Sequence, residues 1–205
     1  METLASSAIE WGVASRALPG QSISGDLHIV KPFPSGVLIA AVDGLGHGAE
    51  AAAAARIAVA IIAAHPTDPV TALVERCHDG LRATRGVVMS IASFNATDGL
   101  MTWLGVGNLK GVLLRYGATS ALAEESLLLR SGVVGVELPR LRAATLSVSA
   151  GDTLILATDG IKSDFNRRLV HQHMPQKAAE AILARHARPT DDALVLVARY
   201  LGGGT

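Results

Sequence analysis

Hairpin turns between apolar segments limit the fold of this 205-residue chain more than any other feature of its sequence. VVMSIASFN (87–95) and LMTWLGVGN (100–108) flank the tetrapeptide ATDG, and an Asp-Gly pair in this setting is typical of a tight antiparallel turn. The next segment, GVLLRYG (111–117), is predicted to continue the same meander. Hairpins do not fit the strict strand–helix alternation of a doubly wound fold, so the sequence predicts the α+β class.

Other apolar segments predict strands near both ends of the chain. They are IEWGVASRAL (9–18), DLHIVKPFPSGVLIAAV (26–42), RAATLSVS (142–149), DTLILATDG (152–160) and ALVLVARYL (193–201). Helices are predicted from Gly48 to Ala64, from about Pro69 to Thr84, and from about Gln176 to Ala187.

The second of these helices has the clearest local signals. Thr67 or Asp68 is expected to be its N-cap, and Pro69 its first helical residue. Its apolar face is expected to contain Leu73, Val74, Cys77 and Leu81, with the cysteine as a small buried residue.

Composition favours one packed domain over residues 1–205, because 49% of the residues are hydrophobic and 18% are charged. The formal net charge is zero, which gives no electrostatic footprint for nucleic acid or an anionic membrane. A single cysteine excludes an internal disulfide, and METLASSAIEW at the N-terminus is unlike an export signal. The apolar run 49–64 contains Arg56 and is shorter than the about 20 residues of a membrane span. We therefore expect a cytoplasmic protein.

The segment AVDGLGHGAE (41–50) allows two interpretations. Gly44, Gly46 and Ala49 match the G-x-G-x-x-A pattern of a dinucleotide-binding turn. That fold requires a second parallel strand ending in an acidic residue about 20 positions later, whereas the segment around Asp68 is predicted to be a helix start. The alternative is that Asp43, at the end of an apolar strand, is the functional residue.

Acidic residues recur at strand ends in this sequence. GVLIAAVDG (36–44) and DTLILATDG (152–160) both end in Asp-Gly, Asp191-Asp192 precedes a third apolar strand, and Asp26 begins a fourth. Each aspartate alone is better explained as a turn or cap residue, but together they can meet at one rim of a layered sheet structure. Buried carboxylates are costly unless paired or bound to a cation, and clustered carboxylates favour Mg²⁺ or Mn²⁺ over zinc.

Seven motifs in order resemble the metal-dependent type-2C (PPM) protein serine/threonine phosphatases, in particular the bacterial SpoIIE/RsbU branch and its small stressosome phosphatases. They are SGD (24–26), AVDGLGHG (41–48), RG (85–86), VGN (106–108), SGVVGVELP (131–139), LILATDGI (154–161) and DDALVLVARY (191–200). The resemblance implies an α-β-β-α sandwich of two mainly antiparallel sheets flanked by helices. It also implies two Mn²⁺ or Mg²⁺ ions.

The resemblance implies roles for individual residues. The expected metal ligands are Asp26, directly or through water, Asp43 as the bridge, the carbonyl of Gly44, Asp159, and Asp191 or its neighbour Asp192. Asp43, Asp159 and Asp191 would act in catalysis through a metal-activated water. That water would attack phosphoserine or phosphothreonine without a covalent enzyme intermediate.

Two departures from the family pattern affect these expectations. Asn108 stands where many members have an aspartate of a third metal site, and an amide is a poorer ligand for a hard cation, so no strong third ion is expected. The family's phosphate-binding arginine has no counterpart, since Arg16 is too distant in sequence, and phosphate is expected to be held mainly by the metals. Three roles are open for His47, namely substrate contact, proton donation, or packing at a helix entry, and it is not counted among the catalytic residues.

The leading hypothesis is therefore a phosphatase acting on phosphorylated STAS-domain proteins of the stressosome, an assignment that rests on the resemblance. A non-catalytic or catalytically weak binding module of the same fold is one alternative, and a two-metal small-molecule phosphoesterase or nuclease is another. The neutral charge and the scarcity of aromatic residues, 3% of the chain, weigh against nucleic acid.

Overall fold

The computed structural model describes residues 8–117, 124–162, 170 and 173–202, and in these residues two β-sheets pack face to face. The strands are β1 (Ile9–Arg16), β2 (Asp26–Phe33), β3 (Gly36–Gly44), β4 (Val87–Asn95), β5 (Leu100–Val106), β6 (Lys110–Leu114), β7 (Glu124–Ser126), β8 (Leu129–Arg130), β9 (Ala144–Ser147), β10 (Thr153–Ala157) and β11 (Ala193–Tyr200). The helices are α1 (Ala49–Ala64), α2 (Val70–Gly80) and α3 (Pro175–His186).

The first sheet has the strand order β1-β11-β10-β6-β7, and every pairing in it is antiparallel. The second sheet has the order β2-β3-β4-β5-β8, with β9 also paired to β5. In the second sheet the pairing of β5 with β8 is parallel, and the other pairings are antiparallel. The predicted α+β class and the sandwich of two mainly antiparallel sheets are confirmed.

The meander predicted around GVLLRYG is wrong. β4 and β5 form the expected hairpin, but β6 pairs with β10 and β7 in the first sheet. The chain crosses from one sheet to the other at residues 107–109, where Gly107 has a φ of 97°. This left-handed conformation suits glycine, and it turns the chain out of the second sheet.

Hydrophobic side chains fill three layers, and β3 illustrates how the sequence divides between them. Leu38, Ala40 and Val42 face α1 and α2, whereas Ile39 and Ala41 face the first sheet. All five are fully buried, as expected for a strand covered on both faces. A third layer lies between the first sheet and α3 and includes Val195, Val197 and Ala179.

The helices agree with the predicted segments except at the two ends of α2, which stops at Gly80 rather than near Thr84. Pro69 is the N-cap rather than the first helical residue, and no side-chain hydrogen bond caps this end. Asp68 instead accepts a hydrogen bond from Nε of Arg76 at 2.9 Å, which takes its carboxylate away from the helix amides. Cys77 is buried, as expected, and none of the helices in the described part of the chain is long and apolar enough to cross a membrane.

Candidate active site

Strand ends from both sheets bring the predicted aspartates to the same end of the sandwich. Asp26 at the start of β2 lies opposite Asp43 at the end of β3 in the antiparallel register. In the other sheet, Asp159 follows β10 and Asp191 precedes β11, and the amide of Thr158 donates to the carbonyl of Leu194 at 3.0 Å.

Asp26 links the two sheets. Its side chain is buried, and its Oδ2 accepts a hydrogen bond of 2.7 Å from Oγ1 of Thr158. Burial raises the pKa of Asp26 to about 7, although this hydrogen bond opposes the shift, and the charge of Asp192 adds to it. Sequence reasoning missed Thr158. Its one available signal was a hydroxyl at the end of an otherwise apolar strand.

Asp43 is half-buried and has the larger perturbation. Burial, followed by the negative charge of Asp26 and then Asp159, raises the pKa of Asp43 from 3.8 to about 9. Burial and neighbouring negative charges make the ionised form of this carboxylate unfavourable, and binding a cation or a proton would relieve that cost. The site is therefore electrostatically prepared for positive charge.

Asp191 and Asp192 are adjacent in sequence, but their carboxylates have different surroundings. Asp192 is buried, its Oδ1 accepts the amide of Leu18 at 2.7 Å, and its Oδ2 accepts the amide of Gly25 at 2.7 Å. Asp191 is half-buried, and Oδ1 accepts the amide of the next residue at 2.9 Å. Burial and the charge of Asp159 raise the pKa of Asp191, while His47 lies close enough for its charge to oppose that rise.

Asp159 is solvent-exposed, and its Oδ2 accepts a hydrogen bond of 2.8 Å from Nδ2 of Asn108. Asn108 is the residue that departs from the family pattern. Its amide donates to the carboxylate that a neighbouring cation would otherwise contact. This contact gives a physical reason to expect no strong third ion beside Asp159.

Both glycines that follow the strand-end aspartates are needed for close packing. A Cβ on Gly44 would lie 2.1 Å from the carbonyl oxygen of Ala51, and one on Gly160 would lie 1.8 Å from that of Asp192. Neither glycine has a positive φ, in contrast to Gly46 and Gly48 at the entry to α1. The dinucleotide interpretation is not needed to explain this glycine-rich turn.

Arg16 is distant from the first acidic motif in sequence but lies at the same end of the sandwich. It is opposite Ala193 in the register of β1 and β11, and its Nη2 donates to the carbonyl of Arg188 at 2.8 Å. This guanidinium is therefore held beside the start of β11, one strand from Asp191.

The donor chemistry of the cluster fits hard divalent cations, since it consists of carboxylates and backbone carbonyls with no cysteine. Within the described residues, no group of three or more His, Cys, Asp or Glu side chains is positioned to hold an ion as it stands. Burial and the neighbouring carboxylates raise the pKa values of Asp26 and Asp43, which is the electrostatic setting that a divalent cation would relieve. The ligand roles of the aspartates stay predictions.

Comparison with known proteins gives consistent matches over most of the chain. The family "Stage II sporulation protein E (SpoIIE)" matches residues 34–201. "Phosphoserine phosphatase RsbX" of Bacillus subtilis is 26% identical over 142 residues, which is 69% of either protein.

Solved structures match more completely. A chain described as "The bacterial stressosome: a modular system that has been adapted to control secondary messenger signaling" is 30% identical, with a TM-score of 0.86 over 93% of this chain and 99% of that one. The crystal structure of RsbX in complex with magnesium is 22% identical, with a TM-score of 0.83 over 94% of this chain and 95% of that one. The second likeness shows a shared fold.

Proposed function

Because this chain belongs to the SpoIIE family of PP2C-type protein phosphatase domains, we propose that it hydrolyses phosphoserine or phosphothreonine esters with the help of divalent cations. The observation that carries the proposal is the meeting of Asp26, Asp43, Asp159 and Asp191 at one end of the sandwich, with burial and mutual repulsion raising the pKa of three of them. We propose one such domain over residues 1–205.

Asp43 and the carbonyl of Gly44, with Asp26, Asp159 and Asp191, would hold two Mg²⁺ or Mn²⁺ ions. Two bound cations of this kind neutralise the charge of a phosphoryl group and lower the pKa of a bound water so that it attacks near neutral pH. RsbX has been crystallised with magnesium, and the related PstP with manganese, which supports the choice of metals.

The remaining polar side chains would position these ligands. Thr158 holds one oxygen of Asp26, which leaves the other free to face the cluster. Asp192 already uses each oxygen for a backbone amide of the loop between β1 and β2, so we assign the ligand role to Asp191 and an anchoring role to Asp192. The loop that Asp192 fastens leads directly into Asp26.

We propose that the substrates are phosphorylated STAS-domain proteins of a stressosome and that the protein acts in the cytoplasm. Two matches support this: the curated relative is named a phosphoserine phosphatase, and a similar chain comes from a study of the bacterial stressosome. The neutral net charge and the low aromatic content support a protein substrate over nucleic acid.

Hydrolysis of an aryl phosphate and of a phosphothreonine peptide, with Mn²⁺ titrated into chelator-treated protein, tests the proposal. Turnover of both substrates that saturates with Mn²⁺ and is lost in Asp43→Asn supports it. Binding of a phosphoprotein without turnover at any metal concentration would establish the non-catalytic module instead. Turnover of the aryl phosphate alone would favour a small-molecule phosphoesterase.

A further inference from the structure

Four exposed basic residues form a lip along the end of the first sheet, beside the aspartates. Arg16 ends β1, Lys110 begins β6, Lys162 follows β10 by a short turn, and Arg188 follows α3. The amide of Arg188 donates to the carbonyl of Gly160 at 2.7 Å, and Lys110 lies opposite Ala157 in register, so these residues border the Asp159 turn. We call this set the basic lip.

The strand order places the basic lip on both sides of the catalytic aspartates. In the order β1-β11-β10-β6, Asp191 precedes and Asp159 follows one of the two central strands, and Arg16 and Lys110 belong to the two outer ones. Three strand spacings separate the outer positions, about 14 Å at roughly 4.8 Å each. A phosphoryl group held between the central strands would therefore lie about 7 Å from the strand that carries each of these basic residues.

The acidic groups that neighbour the basic lip are the site aspartates, which are proposed to bind cations. The described loops 17–25, 107–109, 158–162 and 187–192 contain no acidic side chain besides Asp159, Asp191 and Asp192. None of the four basic residues makes an ion pair with another described residue.

The opposite end of the same sheet has more acidic than basic residues. Its acidic residues are Glu10, Glu124, Glu125 and Asp152, and its basic residues are Arg115 and Arg199. Both of these arginines are paired with acidic neighbours. The arginines at this opposite end are therefore less available to an acidic ligand than the residues of the basic lip.

We propose that the basic lip docks an acidic segment of the phosphoprotein substrate, with carboxylates about two positions on either side of the phosphorylated residue. An extended peptide advances roughly 3.3 Å per residue, so two residues cover the about 7 Å from the phosphoryl position to the strand that carries Arg16 or Lys110. The lip therefore selects for sequence context, whereas the aspartates act on the phosphate. This inference rests on the proposed phosphatase activity and specifies which phosphosites it acts on.

The test compares phosphothreonine peptides that differ at the second position on each side of the phosphothreonine, with Asp, Asn or Lys there. With Mn²⁺ at saturation and salt near 50 mM, kcat/KM for the doubly acidic peptide should exceed that for the Asn peptide about tenfold, and the Lys peptide should be the poorest. The ratio should fall below about twofold near 0.5 M salt, since exposed charges are then screened. Equal kcat/KM for all three peptides would overturn the inference.

Charge reversal gives a second test. It compares kcat/KM ratios between peptides for the same variant, so a change in overall activity does not affect the result. Lys110→Glu should abolish the benefit of an acidic residue on one side of the phosphothreonine and create a preference for Lys on that side alone. Lys31→Glu, an exposed change toward the far end of β2, is the matched control and should keep the wild-type ratios. Unchanged ratios in Lys110→Glu would contradict the proposed docking.

The two proposals fail in different ways. Metal-dependent hydrolysis of an aryl phosphate monoester, with no charged group on the aryl ring, tests the phosphatase activity of the wild-type protein without the flanking carboxylates that the basic lip would bind. If that hydrolysis is present and the peptide ratios are flat, the lip has no role in selection. If that hydrolysis is absent, the proposed function itself is wrong. The salt dependence of the wild-type ratios decides the matter if a charge-reversed variant does not fold.

Discussion

Asp43 at the end of β3 and Asp159 at the end of β10 precede a glycine in the same local sequence, yet their surroundings differ. Asp43 is half-buried and faces Asp26, and burial raises its pKa to about 9. Asp159 is exposed, and the amide of Asn108 donates to its carboxylate. The two glycines, in contrast, meet the same demand, because each packs against a backbone carbonyl.

The two residues of the Asp-Gly motif are constrained in different ways. The glycine is required by packing at both ends, since any side chain there would collide with main chain. The aspartate has different surroundings at the two positions, and the degree of burial determines how strongly its carboxylate favours a bound cation. A buried carboxylate among others accumulates repulsion that a cation relieves, whereas an exposed one beside an amide already has a partial positive charge next to it.

The largest expected effect is on catalysis and distinguishes the two aspartates. Asp43→Asn should reduce kcat at least about 1,000-fold, because it removes the carboxylate that is proposed to bridge two cations. Asp159→Asn should reduce it less, about 100-fold, because Asp43 and Asp191 would still hold the cations. Steady-state hydrolysis of an aryl phosphate over a Mn²⁺ titration measures both. A larger loss in Asp159→Asn would reverse the proposed ranking.

The next largest effect is on stability and should be alike at both ends. Gly44→Ala and Gly160→Ala should each lower the free energy of unfolding by at least about 3 kcal/mol, because the new Cβ would overlap main chain at 2.1 Å and 1.8 Å. Gly80→Ala is the control, since its Cβ would meet the flexible end of Ile61 and alanine favours the helix. Urea denaturation compares the three, and a loss of under 1 kcal/mol in Gly160→Ala would contradict the packing account.

Local sequence signals were enough for the elements and the fold class. The β4–β5 hairpin, the strands that end in Asp-Gly and the three helices lie where turn residues and apolar periodicity predicted them. The family and the assignment to protein phosphatases, both drawn from resemblance, are also confirmed. The sheet membership predicted for β6 was wrong. Only residues 107–109 join β6 to β5, but Gly107 turns the chain out of the second sheet, and β6 pairs with β10 instead.

The meeting of the aspartates at one end of the sandwich was predictable from the sequence, but the contacts that distinguish one aspartate from another were not. Asp191 and Asp192 are chemically identical neighbours, and they are distinguished by the amides of Leu18 and Gly25 more than 160 residues earlier. The bond from Thr158 to Asp26 likewise joins residues 132 positions apart. One sequence contains no local signal for such contacts, because they arise only after two sheets have packed.

A smaller effect should distinguish Asp191 from Asp192, the adjacent aspartates that precede β11. Asp192→Asn should lower the free energy of unfolding of the metal-free protein by about 2 kcal/mol, because an amide NH₂ would face one of two backbone donors. Asp191→Asn should change that stability by less than about 0.5 kcal/mol but weaken Mn²⁺ binding at least about tenfold. Denaturation and calorimetric titration of both variants measure this contrast. The reverse result would make Asp192 the ligand.

The last prediction concerns Asp26 and Asp43, and the way in which they make the stability of the metal-free protein depend on pH. Asp26 and Asp43 have a folded-state pKa of about 7 and about 9, above the ordinary value of 3.8, so the folded metal-free protein binds more protons than the unfolded chain within that window. Its stability should therefore fall as pH rises from about 5.5 to 8.5, by on the order of 10 °C in Tm. Asp43→Asn, which cannot ionise, should flatten this slope and exceed the wild-type Tm at pH 8.5 in chelator. Saturating Mg²⁺ should restore the wild-type Tm at that pH, since the cations would bind the folded state alone. If the Tm of the metal-free protein rises over this pH range, folding does not raise the pKa values of Asp26 and Asp43.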